Sequence, residues 1–116
     1  MDKNLKKEEA LNLLWTIINS HGFRKMTEWN ENGEFIADAK VAVEVIREQM
    51  SLLNDKFKDL PGLSYNISLI LHATNMIDKM IKGLRDYNKK DLVIYHYFIE
   101  DTVKKMIDDP EYWQIK

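Results

Sequence analysis

The chain has no cysteine among its 116 residues. That excludes a disulfide scaffold, a Cys-based zinc site and a thiol nucleophile. Glycine and proline are sparse, at 4 and 2 residues. A phosphate cradle made of backbone amides therefore has little material, and neither a Gly-rich phosphate loop nor Gly-x-Ser-x-Gly occurs. Charge of one sign is also scarce. Lys plus Arg number 17 against 19 Asp plus Glu, a net of −2, which argues against a general polyanion binder and against an acidic DNA mimic. No stretch approaches the roughly 18 uninterrupted apolar residues of a membrane span. Met1-Asp2-Lys3-Asn4 runs straight into charged residues, without the apolar segment of a secretion signal. The expectation is a cytoplasmic chain with no membrane association.

What is present is an ordinary globular balance, 45% hydrophobic and 31% charged, which opposes global disorder. The length suits one domain, 1–116, able to bury roughly two-thirds of its unfolded surface. Lys outnumbers Arg 14 to 3 and Ile and Asn are abundant. That bias fits an AT-rich genome, such as a low-GC bacterium, its phage or another mobile element.

Punctuation falls at Gly22 to Gly33, at Pro61-Gly62 and at Pro110. Four helical segments lie between the breaks, over about 3–21, 34–60, 64–87 and 91–109, followed by a short tail over 110–116. In the first, Leu11, Leu14 and Ile18 recur at three and four, widened by Leu13 and Ile17; Gly22 reads as its left-handed stop. Phe23 to Gly33 reads as a connector whose Phe23, Met26 and Trp29 tuck onto the core. The second segment is the clearest. Ile36, Ala39, Val43, Ile46, Met50, Leu53, Phe57 and Leu60 form an unbroken seam at alternating three and four, roughly 38 Å long at 1.5 Å per residue. Pro61 blocks its continuation.

Ser64 reads as the N-cap of the third helix. One apolar row there is Leu63, Ile67, Ile70, Thr74, Ile77, Ile81 and Leu84; a second is Leu69, Ala73, Met76, Met80 and Tyr87. Two rows predict contact on two sides. In the fourth, Leu92 to Ile99 could be a buried strand by itself, but Val103, Met106 and Ile107 continue in helical phase. The fold class expected is all-α: a four-helix bundle, or a related small helical bundle, around a long central antiparallel helical hairpin.

The residues that could carry chemistry are few. His96 and Glu100, four apart on one helix face, could share a metal only with a further ligand from a neighbouring helix; the plainer reading is a histidine in a crowded interior, hydrogen-bonded to Glu100. His72 sits in a polar row and should face solvent. Glu44, Glu48, Asp78, Glu100 and Asp101 could supply oxygen ligands to magnesium. The doubled Glu-Glu-x-x-Glu spacing of some all-helical nucleoside triphosphate pyrophosphohydrolases is missing, however, and Lys40, Arg47 and Lys105 interleave as on a solvated face. A second basic set, Lys79, Lys82, Arg85, Lys89 and Lys90 with Tyr87 among them, could hold a phosphate. Cations at a helix C-terminus also need no ligand, and Asp78, Asp86 and Asp91 dilute them.

The excess lies in large rings. Tyr95, Tyr97 and Phe98 point in different directions on one helix, so either that helix is central or one ring faces a partner. Tyr97, Tyr112, Trp113 and Trp29 are the expected contact rings. The reading is a non-catalytic protein-binding module with no cofactor and no metal. It would be a homodimer, or a regulator or inhibitor docking on a larger complex. The alternatives are a nucleotide or small-ligand bundle, a magnesium-dependent phosphohydrolase, and a weak nucleic-acid binder, the last opposed by the net charge.

Overall fold

The computed structural model describes residues 3–27, 35–57, 62–82 and 89–109. Five α-helices account for nearly all of them, and no strand occurs among the described residues. They are α1 (Lys3–Ile18), α2 (His21–Lys25), α3 (Phe35–Phe57), α4 (Leu63–Ile81) and α5 (Lys89–Asp108). The strand alternative for Leu92 to Ile99 is thereby excluded.

The seam expected over 34–60 organises α3. Ala39, Val43, Ile46, Met50, Leu53 and Phe57 are all buried. Burying each of the larger ones contributes on the order of 1.5–3 kcal/mol. From α4 come Leu63, Ile67, Ile70, Ala73, Ile77 and Met80, from α1 Ala10, Leu14 and Ile17, and from α5 Leu92, Ile99, Val103 and Met106, all joined in one core. Thr74 lies within it, its hydroxyl donating to the Ile70 carbonyl at 2.7 Å.

Packing is most extensive between α3 and α4. Arg47 reaches Asn75 and Asp78, while Ser51 and Asn54, further along α3, share a groove with Ile67 and Leu71, nearer the start of α4. Partner numbers fall on α4 as they rise on α3, so the two helices run antiparallel. α5 packs on α4 and on α1, and α1 packs on α3. The contacts therefore close a ring of α1, α3, α4 and α5.

Four local expectations are corrected. α1 ends at Ile18 rather than His21, and Ser20 caps a separate helix, its Oγ accepting from the Phe23 amide at a long 3.5 Å. The stretch read as a connector thus contains part of a fifth helix, α2, which packs against α3 and buries Gly22 and Phe23, with Met26 buried just past its end; Trp29 lies outside the described residues. Gly22 is no left-handed stop. It sits inside α2, where a Cβ would lie 2.7 Å from the Asp38 carbonyl oxygen. At α4, the cap position is Gly62 with φ of 81°, not Ser64. Its carbonyl accepts from both the Asn66 backbone amide at 3.1 Å and the Asn66 side-chain amide at 2.8 Å. Residues 34, 58–60 and 83–87, expected in the second and third helices, lie outside the described residues, as does the tail over 110–116.

Candidate functional site

Three surfaces compete, and each is traceable to the helix faces that build it. The first is the polar side of the α3–α4 pair. Arg47 donates to Asn75 Oδ1 at 2.7 Å and to Asp78 Oδ2 at 3.2 Å, and Lys82 Nζ sits 2.9 Å from the same carboxylate oxygen. The Lys82 hydrogen bond first, and Arg47 after it, hold the Asp78 carboxyl below its ordinary value against the opposing effect of burial. A groove of about 430 Å³ runs from Arg47 past Met50 to Ile67, and a second of about 250 Å³ continues between Lys40, Glu44, Asp78 and Lys82.

This face brings Glu44 and Asp78 together, as a magnesium site would require, but surrounds them with Lys40, Arg47 and Lys82. Glu100 and Asp101 lie on α5 and pair with Lys104 at 3.8 Å and Lys105 at 3.1 Å. Among the described residues no three His, Asp or Glu are grouped to hold a metal ion. Of the basic set, Lys79 is exposed on α4, Lys82 is exposed at its C-cap and tied to Asp78, and Lys90 is exposed on α5. Arg85, Tyr87 and the Lys89 side chain lie outside the described residues.

The second surface surrounds His96. Its Nε2 is 2.9 Å from the Phe23 carbonyl oxygen, and its ring stacks on Phe23 at 4.2 Å between centroids. The expected bond to Glu100 is replaced by this tie between α5 and α2. Burial is the main cause that pushes the imidazole pKa below its ordinary value, outweighing the Phe23 carbonyl and the Glu100 charge, which act upward. His96 is thereby engaged in joining two helices. His72, by contrast, faces solvent.

The third surface is the outward face of α5. Leu92, Ile99, Val103 and Met106 point inward, and Tyr95 packs against the core. The opposite side is apolar as well: Val93 is 42% exposed, Ile94 53%, Tyr97 64% and Phe98 40%. Spacings of one and four residues place these four side by side over about a turn and a half. Ile94 and Phe98 continue into a groove of about 220 Å³ whose other wall is Leu69, His72 and Ala73 of α4. Tyr65, exposed one turn before Leu69, extends the same side of α4.

Of the three rings in the crowded aromatic run, Tyr95 packs against the core and Tyr97 and Phe98 stay exposed. Among the four expected contact rings, Tyr97 is exposed; Trp29, Tyr112 and Trp113 lie outside the described residues. Val93 and Ile94 escape the reading from sequence, and Phe98 enters it only as one of three divergent rings. Their signal is the i, i+1, i+4, i+5 spacing on the side away from Leu92, Ile99 and Val103.

These features define the class of molecule as an all-helical protein with a solvent-facing apolar stripe; no helix of the described residues is long and apolar enough to cross a membrane. Comparison with family models, with curated proteins and with solved structures finds no match to this chain.

Proposed function

We propose that this chain is a non-catalytic helical module whose work is protein binding, and that the outward face of α5 is its contact surface. The observation that carries this is the set Val93, Ile94, Tyr97 and Phe98, four neighbouring apolar side chains that all stay substantially exposed. Single exposed apolar residues are ordinary, but a contiguous apolar patch marks an interaction site more often than chance allows. Tyr97 at its centre is of a residue type enriched at energetic hot spots. The scaffold beneath it is the ring of α1, α3, α4 and α5, with α2 packed against α3. Such a frame presents α5 rigidly, which lowers the entropic cost of binding. The small size and the Lys-rich composition suit a cytoplasmic regulator or inhibitor of a larger complex, of phage or mobile-element origin.

The test is affinity capture from an extract of the source cells, with the full chain and with Tyr97→Asp as baits. The reading expects a protein, a further copy of the chain included, that is retained by the first and lost by the second. Equal recovery on both baits would sink it.

A further inference from the structure

We draw no further inference here: the strongest candidate, the apolar groove in which Ile94 and Phe98 of α5 face Leu69 and Ala73 of α4, is continuous with the contact surface already described, and nothing in the structure shows what covers it.

Discussion

At the residue scale, His96 is the side chain whose behaviour follows most directly from its surroundings. Its imidazole is held neutral by burial while Nε2–H donates to the Phe23 carbonyl. The unfolded chain takes up a proton near the ordinary value of 6.5, whereas the folded chain resists until lower pH. The unfolded state thus binds more protons in that window, so stability rises with pH through it. The contribution is complete above about 6.5, declines as pH falls through that value, and levels off below the folded-state pKa. Asp78 does not confuse the window, because its pKa is lowered from 3.8 and its contribution is lost only below that. Melting temperatures measured between about pH 7.5 and pH 5 should therefore fall for the wild-type chain. In His96→Gln, whose amide keeps a donor for Phe23 but does not titrate, the fall should be shallower. Parallel curves would show that the acid sensitivity originates elsewhere.

At the scale of elements, α2 exists because α3 leaves room for a residue with no side chain. A Cβ on Gly22 would meet the Asp38 carbonyl oxygen at 2.7 Å, Val41 Cβ at 3.1 Å and the Ala42 amide at 3.2 Å. Helix propensity alone favours Ala over Gly by about 1 kcal/mol. Two of the three obstructing atoms are helical backbone and cannot rotate away, so overpacking, at about 1–3 kcal/mol, should win. Gly22→Ala should lower the melting temperature by several degrees, and an unchanged or higher value would mean that α2 moves off α3 without penalty. This is also where reading from sequence reaches its limit. A glycine that ends a helix and a glycine that admits a neighbouring helix look alike in one dimension, and the pattern around Gly22 points to the first kind. The seam from Ala39 to Phe57 is legible because its spacing alone determines which side is buried. The Phe23–His96 tie is not, because it joins residues 73 apart in sequence. The surface of α5 is legible in kind: too many rings for one neighbour to cover. Which side chains remain outside depends on where α1 and α4 lie, so the sequence singles out Tyr97 as a contact ring but not Val93, Ile94 or Phe98.

At the scale of the whole molecule, the ring of contacts decides how the fold comes apart. α1 stands outside the α3–α4 pair, yet its Ala10, Leu14 and Ile17 belong to the same core as the residues of α3 and α5 against which it packs. Removing α1 would expose the inner sides of both neighbours, so its loss is coupled to theirs. A chain of this size has about 5–15 kcal/mol of net stability. Leu14 is fully buried, and Leu14→Ala should cost about 2–5 kcal/mol through lost transfer energy and the cavity left behind. If the core is one unit, that cost is felt everywhere at once. In a variant keeping Trp15 as its only tryptophan, Trp15 fluorescence reports α1 while far-ultraviolet circular dichroism reports all the helices. The two should unfold at the same denaturant concentration, and Leu14→Ala should move both midpoints together to lower denaturant. Were α1 only leaning on a self-sufficient α3–α4–α5 unit, Leu14→Ala would shift the fluorescence midpoint and leave most of the dichroism in place. That separation would place the stability of the α5 platform in its contact with α4 alone, and α1 would be a dispensable cover.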